Sequence, residues 1–481
     1  MAKLTDQDIE AIARKIAEDL KGPRAVPSAP PPQPSAAPLP GLGVFSGIAE
    51  AVAAAQQAFP VFVALPLETR NRIIAGIRRA MLENAVALAK AAHEETGLGR
   101  FEDKILKNQL VAEKTPGTED LYPASFTGDH GLTLCEPAPY GVIGAITPCT
   151  NPTSTIICNT IGMLAAGNAV VFNGHPSAKT CSAQTVALLN KAITENGGPA
   201  NVVTCVSTPT IESAQEMMKH PGVRLLVVTG GGGVVKAAMA SGKRAICAGP
   251  GNPPVVVDET ADIEQAARDI VNGAAFDNNI ICVEEKEVVV VASVAEALIR
   301  AMTKHDAVLI DKIRLPQLEP TVFAKMGGPR EHAEINRSLI GKNADGILGR
   351  MGMSVPSTVK LGIVEVDENH PLLWTEQMMP ILPITRVPNA DYAIDLAIRM
   401  EGGNRHTAVM HSRNLDHLSR MAKECNCSIF VKNGRAVAGL GFGGEGYTSF
   451  TIASPTGEGL TSPRSFSRSR RCVLVDHFRI V

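Results

Sequence analysis

The stretch VVTGGGG, residues 227–233, indicates the fold class, because an apolar run of strand length ends in glycines and a helical pattern begins near Val234. Glycines at such a point let a ligand approach the backbone, and the N-terminus of the helix offers amides and a positive dipole to a phosphate. The third position of the dinucleotide fingerprint is Val235 instead of glycine. This stretch alone therefore leaves a nucleotide-binding turn and a plain tight turn both open.

Strand patterns alternate with helical patterns on both sides of this stretch. The predicted strands are residues 142–147, 169–173, 202–207, 225–229, 255–258 and 287–292. The predicted helices are residues 45–57, 67–95, 178–195, 211–219 and 263–275. This alternation is typical of an α/β protein with parallel sheets covered by helices.

The composition excludes several function classes. The 481 residues include 46 Lys and Arg against 48 Asp and Glu, so the net charge is −2, and we expect no nucleic acid as a partner. No apolar run approaches the roughly 18 residues of a membrane span, and the N-terminus lacks the pattern of a secretory signal, so we expect no membrane partner. The ten cysteines form no CxxC pair. They favour free thiols in a reducing cytosol over disulfides or a metal site.

The N-terminal residues carry an amphipathic helical pattern on a long tether. Ile9, Ile12, Ile16 and Leu20 form an apolar stripe at helical spacing. Eight prolines follow within residues 22–40, which is typical of a semi-rigid spacer. A helix on such a spacer favours docking onto another protein, and packing against its own domain is the alternative.

Two polar turns contain candidate catalytic residues. In FDNNIIC, residues 276–282, Cys282 follows an Asp-Asn-Asn turn and precedes a charged Glu-Glu-Lys, so we expect substrate to reach it. Cys158, Cys205 and Cys247 have apolar neighbours and are interpreted as core residues. Asn151, in TPCTNPT, either forms an Asx-turn or donates its amide to a developing oxyanion.

These segments, in this order, resemble the aldehyde dehydrogenase superfamily, specifically its CoA-acylating branch and the propionaldehyde dehydrogenases of bacterial microcompartments. The resemblance extends from about residue 41 to residue 481. The segments that carry it, besides those already quoted, are EPAPYGVIGAITPCTNPT (136–153), VVFNGHPSAK (170–179), AGPGNPPVVVD (248–258), TEQMMPILPI (375–384), GGNRHTAVMHS (402–412) and SPTGEGLTSPRSFSRSRRCVLVD (454–476).

The resemblance implies a role for each candidate residue. Cys282 would be the nucleophile, and Asn151 with the backbone amide of Cys282 would hold the oxyanion. His406 would accept a proton, although a structural histidine is the alternative, and Glu376 would hold the nicotinamide ribose unless it is a solvated carboxylate. The cofactor-binding residues implied are Thr229, Gly230, Gly231 and Gly232 at the pyrophosphate, together with His175 and Pro176.

Two departures from the superfamily pattern bear on the chemistry. Where hydrolytic members carry a water-activating glutamate, this chain has Ala248 and Gly249. Because a thiol has a useful thiolate fraction at neutral pH and water does not ionise there, such a site favours thiolysis by CoA. Residues 174–178 contain no carboxylate for the adenosine ribose, so the preference for NAD over NADP follows from the branch alone.

The resemblance therefore implies oxidation of a short-chain aldehyde, with propionaldehyde favoured, by NAD and coenzyme A through a thioacyl-cysteine. A hydrolytic aldehyde dehydrogenase and a non-catalytic scaffold protein are the alternatives. The implied substrate partner is a small aldehyde, and a shell protein would bind the N-terminal helix inside a microcompartment of the bacterial cytoplasm.

The resemblance also implies a domain organisation. A targeting helix would occupy residues 1–21 and a linker residues 22–40. The Rossmann-type NAD domain would comprise residues 41–130 and 142–248, and the α/β catalytic domain residues 249–455. A small β oligomerisation domain would draw on residues 131–141 and 456–481, where an edge strand invites pairing in a homodimer or homotetramer.

Overall fold

A computed structural model describes residues 42–481 of the protein. The predicted helix of residues 1–21 and the proline-rich linker of residues 22–40 lie outside the described residues. Within residues 42–481, the helices are all too short or too polar to cross a lipid bilayer. The same residues contain no group of three or more His, Cys, Asp or Glu side chains that could hold a metal ion.

The described chain alternates between strands and helices. The strands are β1 Val44–Phe45, β2 Ala124–Gly128, β3 Gly131–Pro139, β4 Val142–Ile146, β5 Ala169–Asn173, β6 Val203–Val206, β7 Leu225–Thr229, β8 Ala245–Ala248, β9 Pro254–Val257, β10 Glu287–Val291, β11 Ala307–Ile310, β12 Phe323–Lys325, β13 Glu334–Ile335, β14 Leu361–Glu365, β15 Ile381–Val387, β16 Thr407–His411, β17 Ile429–Lys432, β18 Ile452–Ala453, β19 Gly459–Leu460 and β20 Ser467–Val475.

The α-helices connect most of these strands. They are α1 Ile48–Val63, α2 Leu67–Glu83, α3 Ala85–Thr96, α4 Phe101–Lys114, α5 Pro152–Ala165, α6 Lys179–Glu195, α7 Ile211–Lys219, α8 Gly232–Ala240, α9 Ile263–Ala274, α10 Ala292–Met302, α11 Leu315–Val322, α12 Ala344–Arg350, α13 Ala390–Glu401 and α14 Leu415–Cys425.

The first of two compact units comprises residues 42–95, 107–248 and 447–481. Six parallel strands form its main sheet in the order β1, β6, β5, β4, β7, β8. Every residue of β4 and β5 is buried, as expected for parallel strands covered on both faces. From β4 the chain winds outward through β5 and β6 and then returns to β7, so the strand order reverses between β4 and β7. Ligands of doubly wound sheets bind beyond the carboxyl ends of the strands at such a switch point.

The second unit comprises residues 96–106 and 249–446. Its sheet has seven parallel strands in the order β11, β14, β15, β10, β9, β16, β17. Aliphatic side chains from the strands and from α10 to α14 form its core, with Val289, Leu348, Ile381 and Met410 each at most 1% exposed. The α/β fold class with parallel sheets is therefore confirmed.

A separate antiparallel sheet in the first unit consists of β2, β3 and β20. The C-terminal strand β20 pairs along its whole length with β3. Its residues are exposed after Ser467, including the apolar Val473, Leu474 and Val475. The basic residues of the segment 464–471 thus lie at the start of an exposed strand.

Two predicted helices differ from the structure. The predicted helix of residues 67–95 is two helices, because Asn84 ends the first by donating its side-chain amide to the Ala80 carbonyl at 2.8 Å. The predicted helix of residues 45–57 begins later, at Ile48, since Phe45 pairs as a strand residue with Val206. That helix also continues past Pro60 to Val63.

Candidate active site

Asn151 lies at the switch point of the first unit, between β4 and α5. Its side chain is 8% exposed and makes no capping bond to the helix. Instead its Oδ1 accepts a hydrogen bond from Nζ of Lys107 at 2.6 Å, and its Nδ2 donates to Oγ1 of Thr150 at 3.1 Å. The Asx-turn interpretation of Asn151 is therefore wrong. The buried Lys107 was not predicted, because a lysine within the helical pattern of α4 is expected on an exposed face.

The glycine turn lies on the other side of the same switch point, between β7 and α8. Gly231 is the N-cap residue and provides no side-chain cap. A Cβ on Gly231 or Gly232 would meet no atom within 4 Å, and both residues are exposed. Thr229 at the end of β7 is held by a hydrogen bond of 3.0 Å between its hydroxyl and that of Thr451.

The N-terminus of α6, after β5, differs from that of α8 because a side chain caps it. There the carboxylate of Glu95 accepts hydrogen bonds from the backbone N–H groups of Thr180 and Cys181, at 2.8 and 2.7 Å. An acidic side chain thus already satisfies amides of α6, whereas no side chain of the described part of the chain caps the first turn of α8. The fixed backbone and open space at Gly231 and Gly232 fit an anionic group such as a pyrophosphate.

His175 and Pro176 follow β5 at the same carboxyl edge of the sheet. His175 is half-buried, and its Nδ1 accepts a hydrogen bond of 3.1 Å from the Ser177 N–H at the start of a short 3-10 helix. Burial lowers the pKa of His175, so the imidazole is neutral near pH 7. Pro176 is exposed.

Cys282 lies in the second unit, in the segment that enters β10. It is half-buried, whereas Cys158, Cys205 and Cys247 are buried in the first unit as predicted. Burial and the nearby carboxylate of Glu376 raise the pKa of the Cys282 thiol to about 12, while the charge of Lys286 acts in the opposite direction.

Gly251 is the residue at which the other candidate groups of this unit meet. A Cβ there would lie 2.8 Å from the carbonyl oxygen of Cys282 and 2.9 Å from Cγ of His406. The backbone of Gly251 also favours the ionised form of the Glu376 carboxyl and so acts to lower its pKa. The structure thus brings Cys282, Glu376 and His406 together around one backbone segment. Gly251 was not predicted as a site residue, although the sequence GPGNPP marks it as a position of close approach.

His406 is completely buried at the entry to β16. Its backbone N–H donates to Oε1 of Glu401 at 2.9 Å, and its Nδ1 lies 2.8 Å from the Thr407 hydroxyl. Among residues 42–481, Nε2 has no hydrogen-bond partner. Burial, reinforced by the charge of Lys286, lowers the pKa of His406 to about 3, so the imidazole is neutral at pH 7.

Glu376, by the same contacts, is not a solvated carboxylate. It is half-buried, and burial raises its pKa, although Lys286 and the Gly251 N–H stabilise the ionised form. Its role at the nicotinamide ribose stays a prediction.

The charged residues after Cys282 are buried. Glu284, Glu285, Lys286 and Glu287 are each at most 1% exposed. Glu285 accepts a hydrogen bond of 2.7 Å from the Ala436 N–H, and burial raises its pKa to about 7. Burial raises the pKa of Glu287 well above its usual range.

The turn before Cys282 is left-handed over three consecutive residues. Asp277, Asn278 and Asn279 have φ of 42°, 57° and 64°. The Asp277 carboxylate accepts the Arg100 N–H at 2.6 Å and the Lys104 ammonium at 3.2 Å. Such strained backbone persists only where surrounding contacts fix it, and these contacts do so.

The family model for the aldehyde dehydrogenase family matches residues 46–459 of the chain. A relative in Salmonella typhimurium, acetaldehyde dehydrogenase (acetylating) EutE, is 48% identical over 479 residues, which cover 99% of this chain and 100% of the relative.

Two solved structures are also similar. A propionaldehyde dehydrogenase of Rhodopseudomonas palustris, with bound CoA and an acylated cysteine, is 50% identical with a TM-score of 0.88 and covers 90% of this chain and 98% of its own. A propionaldehyde dehydrogenase from the fucose utilisation microcompartment of Clostridium phytofermentans is 49% identical with a TM-score of 0.88, covering 92% of this chain and 100% of its own. With its two parallel sheets and the extent of these matches, the chain belongs to the aldehyde dehydrogenase family.

Proposed function

We propose that this protein is a CoA-acylating aldehyde dehydrogenase that converts a short-chain aldehyde, NAD and CoA into acyl-CoA and NADH. The observation that carries the proposal is that the half-buried Cys282 and His406 both approach Gly251, in the segment where Ala248 and Gly249 stand instead of a glutamate. The bound CoA and acylated cysteine of the Rhodopseudomonas palustris relative support it.

Cys282 acts as the nucleophile in this proposal. Its thiolate attacks the aldehyde carbon and forms a hemithioacetal. Asn151 and the backbone amide of Cys282 donate hydrogen bonds to the oxyanion of that adduct. The bond from Lys107 to Oδ1 of Asn151 fixes the side-chain amide, with its N–H groups on the opposite side from the lysine. His406, whose Nε2 has no partner among the described residues, is the group proposed to accept a proton released by a thiol.

The residues proposed to hold NAD are of different kinds. The uncapped turn from Gly230 to Gly232 fits a pyrophosphate, His175 and Pro176 flank it at the same edge of the sheet, and Glu376 would bind the nicotinamide ribose. When bound, the nicotinamide takes up a hydride and CoA supplies the thiol that accepts the acyl group. The chain's own part is to hold the thioacyl group on Cys282 between these events.

Release of the acyl group by a thiol instead of water follows from the missing base. Ala248 ends β8 and Gly249 follows it, so neither residue offers a side chain that could activate water. Because a thiol ionises near pH 8.5 and free water near 15.7, a site without a base favours thiolysis.

Product analysis tests the reaction. Purified protein is incubated with NAD and aldehydes of two to five carbons, with and without CoA, and acyl-CoA, free acid and NADH are measured. We expect NADH formation to depend on CoA and to yield acyl-CoA, with propionaldehyde favoured, and NAD to support more turnover than NADP. Stoichiometric free acid at an unchanged rate without CoA would instead identify a hydrolytic enzyme.

We also propose that the protein forms a homodimer or homotetramer through its three-stranded sheet. The exposed β20 places Val473, Leu474 and Val475 at 55%, 41% and 61% exposure on the sheet edge, and edge strands of this kind pair readily. Light scattering after size-exclusion chromatography measures the mass of the wild type and of Leu474→Lys. A wild-type monomer would contradict the proposal.

The N-terminal residues 1–21 are proposed as a targeting segment that binds a microcompartment shell protein. The support is the apolar stripe, the proline spacer of residues 22–40 and the microcompartment origin of the Clostridium relative. Burying three isoleucines and a leucine, at about 1.5–3 kcal/mol each, is sufficient for docking. Deleting residues 1–21 is expected to leave activity unchanged and to abolish co-purification with shells. Loss of activity in the truncated enzyme would assign the segment to the catalytic body.

A further inference from the structure

Lys286 is a buried cation four residues after Cys282, at the entry to β10. It is 1% exposed, and its Nζ lies 2.9 Å from the carbonyl oxygen of Asn279, 2.6 Å from Oδ1 of Asn279 and 3.1 Å from the carbonyl oxygen of Ile281. Three oxygen acceptors match the three N–H groups of an ammonium. All three of these acceptors belong to the segment that leads into Cys282.

The bonds from Lys286 connect the two ends of the segment between the left-handed turn and Cys282. Asn279 is the last residue of the turn, and Ile281 directly precedes Cys282. Asn279 also donates its Nδ2 to the carbonyl oxygens of Ala274 and Glu285, both at 2.9 Å. The ammonium therefore sets the path of the backbone just before the cysteine.

The charges around Cys282 are mostly acidic. Glu376 and Glu284 oppose ionisation of the Cys282 thiol, and Lys286 favours it. The charge of Lys286 also acts on Glu285 and Glu287 and on His406 at the entry to β16. Glu401 faces the backbone of His406. Among the groups of the described chain that shift the thiol, Lys286 is the cation that offsets the carboxylates.

We propose that Lys286 is the positioning residue of Cys282: its ammonium fixes the segment that carries the cysteine and supplies the positive charge that stabilises the thiolate. This inference rests on the proposed role of Cys282 as the nucleophile. It assigns a function to a lysine that the sequence shows only as part of the charged Glu-Glu-Lys after Cys282.

Alkylation of Cys282 tests the proposal without requiring turnover. The full-length wild type, Lys286→Met and Lys286→Arg are treated with iodoacetamide between pH 6 and 10, and the rate at Cys282 is measured by peptide mass spectrometry. An opposite charge at close range typically lowers a pKa by 1–3 units. We therefore expect alkylation of Cys282 in Lys286→Met to be at least about 10-fold slower at pH 7.5.

Lys286→Arg separates the effect of the positive charge from the effect of replacing the lysine side chain, because it keeps a cation at the same position. On a logarithmic scale, we expect the alkylation rate of Cys282 in Lys286→Arg to fall by less than half as much as in Lys286→Met. An unchanged pH profile in folded Lys286→Met would overturn the proposal. A decrease in Lys286→Arg equal to that in Lys286→Met would overturn its electrostatic part.

Buried cysteines provide the control for folding. Cys425 in the second unit and Cys205 in the first are at most 6% exposed, so their alkylation reports unfolding. If Lys286→Met labels both rapidly, Asn279→Gly replaces it, since glycine keeps the positive φ and deletes one acceptor of Lys286. We expect about 2-fold slower alkylation of Cys282 in that variant, about a third of the logarithmic decrease at Lys286, and an unchanged rate would overturn the proposal. Alkylation of Cys282 needs neither NAD nor CoA. Its result can therefore be interpreted even if product analysis contradicts the proposed function.

Discussion

The two parallel sheets place their candidate residues at opposite ends of their strands. In the first unit, Asn151 follows β4 and the glycine turn follows β7, so both lie at the carboxyl edge beside the switch point. In the second unit, Cys282 precedes β10 and His406 precedes β16, so both lie at the amino edge. The same architecture therefore provides two different kinds of site.

The switch point of the second sheet, between β9 and β16, explains part of this difference. There the Asp258 carboxylate accepts hydrogen bonds from the Ser412 hydroxyl at 2.5 Å and from Nδ1 of His417 at 2.9 Å, and the Thr260 hydroxyl binds its other oxygen at 2.7 Å. Side chains already occupy the position where a ligand of a doubly wound sheet would bind. The two switch points thus differ in whether side chains fill them, and only the first leaves its glycine turn open among the described residues.

The largest expected effect removes the reactive atom at the amino edge of the second sheet. Cys282→Ala is expected to lower kcat by more than about 10⁴-fold, because the covalent step is lost, and to leave NAD binding intact. The control is Cys427→Ala, another half-buried cysteine of this unit, which should retain kcat within about twofold. If Cys282→Ala kept a tenth of the wild-type rate, another cysteine would be the nucleophile. Steady-state NADH formation and NAD titration measure both effects.

Removing the amide at the carboxyl edge of the first sheet should have the next largest effect. Asn151→Ala is expected to lower kcat by about 10² to 10³, the usual loss for one oxyanion donor. KM for the aldehyde should change little, because the bond strengthens only as charge develops on the oxygen. An unchanged kcat would reduce Asn151 to a structural residue of the β4 loop.

Lys107 should show a smaller effect of the same kind, since it acts on Asn151 and not on the substrate. Lys107→Met removes the 2.6 Å bond to Oδ1 and is expected to lower kcat about 10-fold, because among the described residues only the bond to Thr150 then holds the amide. The double variant with Asn151→Ala should lose no more than Asn151→Ala alone. Fully multiplicative losses would contradict a role through Asn151.

Glu285 tests how the buried acids of the second unit affect stability. Its pKa is about 7 in the folded chain against 4.5 as the ordinary value. The folded carboxyl therefore holds its proton between pH 4.5 and 7 while the unfolded one loses it, so the free energy of unfolding falls as pH rises, by about 3 kcal/mol in full. Glu285→Gln should thus gain stability relative to wild type between pH 5 and pH 8, as measured by denaturant unfolding. A pH-independent difference would contradict the shift.

The smallest effect on activity is expected at the filled switch point. Ser412→Ala deletes one bond to the buried Asp258 and should lower the free energy of unfolding by about 1–3 kcal/mol. Its kcat should stay within about twofold of wild type, because the network is structural. A large loss of kcat with unchanged stability would mean that this edge also takes part in the reaction.

Local patterns predicted much of the fold and less of the site. The strands Ala169–Asn173 and Leu225–Thr229 lie where their apolar runs predicted them. A parallel strand that is buried on both faces has apolar residues at consecutive positions, so the sequence shows it directly. Burial of Lys107 and Lys286 depends on partners distant in sequence or on a turn of unusual geometry, and no local pattern encodes either. Charged residues were expected at the surface for that reason.

The glycines after β7 have a consequence for the protein without its cosubstrate. Gly231 has φ of −64°, and side chains at Gly231 and Gly232 would meet no atom, so the fold itself does not require glycine at either position. Alanine at Gly232, within α8, would remove backbone freedom from the unfolded chain and raise stability by about 0.5–1 kcal/mol. The apoenzyme is therefore less stable than its own architecture permits, and part of the deficit lies in residues whose bare backbone a phosphate would contact.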